Sequence, residues 1–230
     1  MAGTRPWIAR VYWGATLLML AAAVAVAVRA PVESTFGPIQ KLFYLHLPIA
    51  INTFLSGLVV FVACVAYLGG RRQVWDDLAY SAARVTVLNG TVLMLTGVFW
   101  AKVSWGQWWA WSPRLAFSLL LWLLYVVYLC LRPVFGPTQR CAVIAAVYGI
   151  VAFLDVPLVY LSVNLLPDVH PSHLELTSEM RWALVLWFVS ITMLTGGLIG
   201  SRFALTRQTS HEFARDGRYA PPFGPQGHAA

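Results

Sequence analysis

Residues 48–68 read PIAINTFLSGLVVFVACVAYL, a run of 21 residues without a charged side chain. A helix needs about 20 mostly apolar residues to cross the hydrocarbon core of a bilayer. The run therefore predicts a membrane-spanning helix, and the rest of the chain has to be compatible with a membrane environment.

The whole chain of 230 residues shares this apolar character, since 59% of it is hydrophobic and 11% is charged. Soluble domains average roughly 45–50% hydrophobic and roughly 25% charged residues, so a water-soluble fold is excluded. Runs close to span length recur, and they predict an all-α integral membrane protein, a six-transmembrane-helix bundle. The predicted spans are residues 11–30, 48–68, 79–101, 115–131, 140–163 and 182–200.

The first and third of these spans differ from a plain apolar helix. The apolar run at 11–28 is longer than the roughly 7–15 residues of a secretory signal core, so we expect a retained first helix. Arg84 and Asn89 interrupt the third run. Polar side chains inside a bundle can hydrogen-bond between helices, so the third span is kept.

Positive charges predict the orientation of the bundle. With six spans, eleven Lys and Arg side chains fall on one side and five on the other. The richer side is cytoplasmic by the positive-inside rule, which places both termini in the cytoplasm. The net charge of +7 is then a result of topology and does not indicate nucleic-acid binding. The five outward cations are Arg29, Lys41, Lys102, Arg114 and Arg181.

The composition changes near residue 205, where the chain becomes polar and rich in Pro and Gly. We therefore predict a membrane domain over residues 1–204 and a disordered cytoplasmic tail over residues 205–230. The cysteines lie in or beside apolar runs without paired spacing, so they are expected to be packing residues.

Tryptophans are concentrated in one predicted outward segment, FWAKVSWGQWWAWSPRL at residues 99–115, between helices 3 and 4. One or two tryptophans at a span end are ordinary interfacial anchors. Five of the eleven within twelve residues, beside a glycine and a proline that shape the backbone, favour an ordered outward loop that presents ring faces to a ligand. These five are Trp100, Trp105, Trp108, Trp109 and Trp111.

Histidines occur in the two other outward segments: His46 in FYLHLP, and His170 with His173 in DVHPSHLE. A single histidine near a helix end is usually an interfacial side chain. Two from separate outward loops suit iron in a planar macrocycle, which takes one axial ligand from each face. Pro171 stiffens the setting of His170 and favours it over His173 as the second ligand. Carboxylates of the macrocycle can pair with Lys41, Lys102, Arg114 or Arg181.

Three separated motifs also carry a family resemblance. WGQWWAWSPRL at 105–115 resembles the tryptophan-rich signature of the heme-handling proteins of cytochrome c biogenesis, of the CcmC type (heme exporter protein C) and the CcsA type. KLFYLHLPIA at 41–50 and DVPLVYLSVNLLPDVHP at 155–171 resemble the histidine motifs of these families. Six spans and a modest length favour the CcmC type.

The resemblance implies a heme delivery protein of the bacterial inner membrane and not a catalyst. Such a protein holds heme b at its periplasmic face and presents it to a heme chaperone of the CcmE type. A small membrane subunit and ABC-transporter subunits are the other implied partners. Matched by position, His46 and His170 are the axial ligands of the heme iron. The implied heme platform consists of Trp105, Trp108, Trp109, Trp111 and Arg114.

The sequence departs from the family pattern at Ser112, where the signature has an aspartate, and Pro113 resembles the CcsA type. Two alternative functions are therefore kept: a CcsA-like subunit of a cytochrome c heme lyase or synthase, and a b-type heme electron carrier. The sequence predicts no large extracellular domain, which disfavours the lyase or synthase. The candidate histidines all lie near one face of the membrane, which disfavours the electron carrier.

Two features of the predicted spans stand apart from the heme motifs. Asp155 lies in the fifth span, where a carboxylate is costly and is either a neutral, hydrogen-bonded group or a functional one. Gly196 and Gly200 have the GxxxG spacing in the last span. This spacing predicts close helix packing, either inside the bundle or with a small partner subunit.

Overall fold

The computed structural model describes residues 6–32, 37–136, 138–165, 170 and 176–215. This part of the chain is almost entirely helical. A short 3-10 helix, Gly37–Leu42, leads directly into the second α-helix. The α-helices are α1 Pro6–Arg29, α2 Phe43–Gly70, α3 Gln73–Trp105, α4 Pro113–Phe135, α5 Gln139–Phe153, α6 Asp155–Leu165 and α7 Ser178–Arg215.

Within the described residues, six helical segments are long and apolar enough to cross a membrane. This confirms the predicted six-helix membrane architecture, including the first and third spans. The fifth segment runs from Gln139 to Ser162 and consists of α5 and α6, which meet at a turn at Leu154. Asp155 therefore begins a new helix, a position that the hydropathy of the span does not reveal.

The last helix differs from the prediction, because α7 continues to Arg215 and passes the expected domain boundary at 204. Residues 202–215 contain neither Gly nor Pro and include several good helix formers. Contacts to α3 also hold this extension, since the hydroxyl oxygens of Ser81 and Thr206 lie 3.1 Å apart, within hydrogen-bond distance. The polar composition that predicted a tail at 205 marks the end of the apolar surface and not the end of the helix.

Helix α2 lies at the centre of the bundle and packs against α3, α5 and α7. Close approach depends on small side chains. A Cβ atom at Gly149 of α5 would lie 2.8 Å from the Cys64 sulfur of α2. The main core around this contact contains buried alanines from α2, α3 and α5, among them Ala63, Ala82 and Ala145.

The glycines of α7 also permit close packing, and the contact with α1 includes Gly196 of the predicted pair. A Cβ atom at Gly197 would lie 2.6 Å from Tyr12 and 3.0 Å from Trp13, both on α1. The contact between α1 and α7 therefore uses Gly197 together with Gly196.

Polar side chains inside the bundle hydrogen-bond between helices, as predicted for the third span. Asn89 of α3 donates to Thr195 of α7 at 3.2 Å. Asn52 of α2 donates to Thr192 of α7 at 3.1 Å. These bonds give the N–H groups of both amides a partner in a region that no water reaches.

The first turn of α3 carries two buried carboxylates, which we call the aspartate end of the bundle. Asp76 pairs with Arg132 of α4 and accepts a hydrogen bond from Gln73 at 3.0 Å. Asp77 accepts from Ser210 of α7 at 2.7 Å and lies 3.5 Å from the guanidinium of Arg207. This network ties α3, α4 and α7 together at one end of the molecule.

Candidate functional site

A cavity of about 270 Å³ lies near the opposite end of α3 from the aspartates. It is close to the lower end of the roughly 300–1,000 Å³ of small-molecule sites, and like them it has mostly apolar and aromatic walls with a few polar groups. We call it the histidine cavity. The side chains that line it include His46, Trp100, Trp105, Trp109, Arg114 and His170, together with Phe43, Phe54, Leu93, Met94 and Tyr160.

His46 projects from the first turns of α2 into this cavity and is held by α3. Its Nδ1 lies 2.9 Å from the hydroxyl oxygen of Thr96. That hydroxyl donates its proton to the backbone carbonyl of Val92 at 2.8 Å, so towards the imidazole it accepts. The His46 proton therefore lies on Nδ1, and Nε2 keeps its lone pair, which is the arrangement of a metal-ligating histidine.

His170 lines the same cavity and contacts a different partner. Its Nδ1 lies 3.0 Å from a terminal nitrogen of the Arg114 guanidinium, near the beginning of α4. A guanidinium only donates hydrogen bonds, so Nδ1 of His170 accepts this one. The cation thus stands at the wall of the cavity, against one of the two imidazoles.

The structure divides the predicted tryptophan platform into two groups. Trp105 and Trp109 line the histidine cavity, and so does the buried Trp100, which the family motif did not include. Trp108 and Trp111 lie outside the cavity wall and are 56% and 80% exposed. The ammonium nitrogen of Lys102 lies over the Trp108 ring, 5.5 Å from the ring centroid.

The turn that carries Trp108, Trp109 and Trp111 runs from Gly106 to Ser112 between α3 and α4. Gly106 has a φ of 73°, a left-handed conformation that suits glycine and ends α3. Ser112 caps α4 by accepting from the backbone N–H of Leu115 at 3.5 Å. An aspartate, the residue of the family signature, also favours a helix N-cap, so the helix start is compatible with either residue.

Trp109 separates the histidine cavity from a shallower groove between α3 and α4. The groove is apolar and is also lined by Trp111 and Trp122. The indole Nε1 of Trp109 is buried and has no hydrogen-bond partner within the described residues. A buried indole N–H normally finds an acceptor, and none lies among the described residues.

The remaining predicted groups lie elsewhere or outside the described residues. Lys41 donates to the backbone carbonyl of Val28, and Lys102 donates to that of Gly106 at 3.0 Å. Arg181 is exposed on α7. His173 lies outside the described residues, so the choice between it and His170 stays a prediction.

Asp155 is 4% exposed, and neither of its carboxylate oxygens has a hydrogen-bond partner among the residues that the structure describes. It does not line the histidine cavity. Of the two expectations for this residue, the hydrogen-bonded one therefore finds no support in the described part of the chain.

Sequence reasoning missed Thr96 and Gly97, and it left Trp100 of the tryptophan cluster out of the implied heme platform. Thr96 reads as one of several polar interruptions of the third span, and only its contact with His46 gives it a role. Gly97 lies beneath the same imidazole, where a Cβ atom would be 3.4 Å from His46 Cε1. The helical spacing of Thr96, Gly97 and Trp100 on α3 is the one signal that places them on a common face.

The donor set of the cavity restricts its ligand. The described residues contain no group of three or more His, Cys, Asp or Glu side chains able to hold a metal ion. Two imidazoles leave most positions of a bare ion unfilled, whereas a planar macrocycle supplies the equatorial ones itself. Aromatic walls and a cationic guanidinium match the apolar faces and acidic edge of such a ligand.

Comparison with known proteins agrees with the motifs. The family CcmC, heme exporter protein C, matches residues 2–215. The heme exporter protein C of Bradyrhizobium diazoefficiens is 31% identical over 162 residues, which cover 69% of this chain and 59% of that protein. The protein of the same name from Escherichia coli (strain K12) is 27% identical over 168 residues, 67% of this chain and 66% of its own length.

A shorter similarity extends to the second type of protein suggested by the motifs. The cytochrome c biogenesis protein CcsA of Prochlorococcus marinus (strain MIT 9303) is 35% identical over 96 residues, 42% of this chain and 29% of that protein. The chain spans less than two thirds of the length of each of these relatives. The family match nevertheless covers most of the chain, and the chain belongs to the heme exporter protein C family.

Proposed function

We propose that this protein binds heme in the histidine cavity as part of cytochrome c biogenesis. The observation that carries the proposal is the convergence of His46 and His170, which come from distant parts of the chain, on one largely apolar cavity. His46 is already oriented with Nε2 as the available nitrogen. Heme is the cargo of the site, and its iron takes the two imidazoles as axial ligands.

Other residues of the cavity provide the rest of the binding site. Trp105 and Trp109 pack against the apolar macrocycle, and the guanidinium of Arg114 pairs with a propionate. Trp108 and Trp111 of the predicted platform are exposed side chains of the same turn. They contribute a surface beside the site, facing lipid or a partner protein.

The proposal includes a cellular setting, which the charge distribution and the family support. The cavity end of the bundle faces the periplasm, and both termini lie in the cytoplasm of a bacterium whose inner membrane holds the protein. The protein is a transport and delivery component and not an enzyme. Its cargo is heme b, and its partners are a CcmE-type heme chaperone, a small membrane subunit and ABC-transporter subunits.

The first experiment tests heme binding itself. The protein is purified in detergent from heme-replete membranes, and bound heme is measured from its visible spectrum. We expect His46→Ala and His170→Ala to lose most of the bound heme, while His211→Ala keeps it, because His211 is exposed on α7 far from the cavity. Unchanged heme absorbance in both cavity variants contradicts the proposed ligation.

A second experiment separates delivery from the alternative functions. Heme-loaded protein is mixed with the soluble domain of a CcmE-type chaperone, and transfer is followed by gel filtration. Transfer supports the delivery function. Covalent holocytochrome formed by this protein alone would favour a CcsA-like synthase, and about two hemes per chain would favour a b-type carrier.

A further inference from the structure

The two imidazoles of the histidine cavity are held by partners of opposite hydrogen-bonding character. Thr96 accepts from Nδ1 of His46, which leaves Nε2 ready to bind a metal. Arg114 donates to Nδ1 of His170 at 3.0 Å, so that nitrogen carries no proton and a neutral imidazole carries it on Nε2. The two histidines therefore have opposite tautomers.

This difference has a consequence for ligation by His170, whichever ring nitrogen binds the iron. If Nδ1 binds, its lone pair is already engaged by Arg114. If Nε2 binds, the neutral ring has to carry its proton on Nδ1, where it would face an N–H of the guanidinium. In both cases Arg114 has to leave His170 before this imidazole becomes a ligand.

We propose that Arg114 is a carboxylate-operated latch on His170, an inference that rests on the proposed function. In the structure the guanidinium holds His170 in its non-ligating form. A carboxylate entering the cavity is a better acceptor for a guanidinium than a neutral ring nitrogen, because the pair is charge-assisted and can be bidentate. Arg114 then turns to the carboxylate, and His170 becomes the second ligand.

The step is balanced without an oxidant or reductant. Arg114 keeps its charge and exchanges one hydrogen-bond acceptor for another. When Nε2 is the ligand, His170 loses the proton on Nε2 and gains one on Nδ1 by exchange with water, so its net charge is unchanged. The latch predicts an order of events in which His46 binds first and His170 completes the site only for porphyrins that carry free carboxylates.

The test uses two probes, hemin and hemin dimethyl ester, whose propionates are blocked. Each is added to the purified protein in detergent, and the ferric spin state is read by EPR. Wild-type protein is expected to give a low-spin, bis-histidine signal with hemin and a high-spin signal with the ester. Arg114→Met removes the latch and is expected to give the low-spin signal with the ester as well.

Two further variants control this comparison. Arg181→Met removes an exposed arginine that does not line the cavity, and it is expected to behave as the wild type with both probes. Arg114→Gln is tested beside Arg114→Met, so that the result does not depend on one variant folding. A low-spin signal from the wild type with the ester overturns the latch. A high-spin signal from both Arg114 variants with the ester overturns it as well.

A measurement without heme tests the latch independently of the proposed function. Protein labelled with ¹⁵N-histidine is expected to show the His46 proton on Nδ1 and the His170 proton on Nε2. Arg114→Met is expected to shift His170 towards a mixture of tautomers. A wild-type His170 with its proton on Nδ1 overturns the latch, whereas a failure of the wild type to bind hemin contradicts the proposed function instead.

Discussion

Buried polar groups at the two ends of α3 differ in the partners that they have within the protein. At the aspartate end, Asp76 and Asp77 are buried and each meets an arginine from another helix. At the cavity end, an indole N–H of Trp109 is buried without a partner in the described structure, and one guanidinium faces a neutral imidazole. The first end satisfies its charges internally, and the second end holds groups that suit a ligand.

The difference separates stability from binding. A buried ion pair that loses one partner leaves an uncompensated charge, which is strongly destabilising. A cavity that loses one lining group loses ligand contacts, while the helices around it stay packed. Substitutions at the two ends of the same helix are therefore expected to affect different measurements.

The largest effect is expected from Asp76→Ala. This change leaves Arg132 of α4 without its carboxylate, and removing one partner of a buried pair costs about 3–5 kcal/mol. The free energy of unfolding is measured by SDS titration in mixed micelles. Hemin affinity of the fraction that remains folded is expected to stay at the wild-type value.

Two controls sharpen this prediction. Arg84→Ala removes an exposed arginine of the same helix that contacts Tyr80, and it should cost less than about 1 kcal/mol. The double variant Asp76→Leu/Arg132→Met removes both charges and should recover much of the loss. If Asp76→Ala is no more destabilising than Arg84→Ala, the stabilising role of the aspartate end is wrong.

The bundle was predictable from sequence because hydropathy depends on composition over a long window. Residues 48–68, for example, fall within α2. Hydropathy does not show the break at Leu154, because both sides of it are apolar, and only Pro157 indicates an irregular turn there. The end of α7 was missed because helix propensity continues beyond the membrane.

The site was predictable only in part, for a similar reason. His46 and His170 are conspicuous because a histidine is rare beside an apolar span, and both line the cavity. Thr96 is one hydroxyl among several in α3, and its importance depends on a contact across fifty positions of sequence. Spacing along the chain also does not show which tryptophans turn inward, so Trp105 and Trp109 could not be separated from Trp108 and Trp111.

An intermediate effect is expected from Gly97→Leu at the cavity end. A Cβ atom there lies 3.4 Å from His46 Cε1, an ordinary contact, but the further carbons of leucine need the space of the imidazole. Hemin affinity should fall by about 10–100-fold, the range found when the surroundings of a metal ligand are disturbed. Fluorescence quenching titration of the purified protein with hemin measures it.

The matched variant for this position is Gly97→Ala, which adds only the Cβ atom. It should keep hemin affinity within about threefold of the wild type, because a 3.4 Å contact is relieved by a small shift of the ring. Unfolding free energy should change little in either variant. Equal hemin affinity for the leucine variant and the wild type would mean that His46 does not need its present position.

The smallest effect is expected from Trp111→Ala, which removes the more exposed ring of an edge-to-face pair. Its centroid lies 5.8 Å from that of Trp109, but Trp111 is 80% exposed and does not line the histidine cavity. Hemin affinity should therefore change by no more than about twofold, as for most surface substitutions. Trp109→Ala, measured in the same titration, removes part of the wall and should lower the affinity more. If the two variants lose affinity equally, the ligand extends from the cavity over the exposed rings, and the wall at Trp109 is not its boundary.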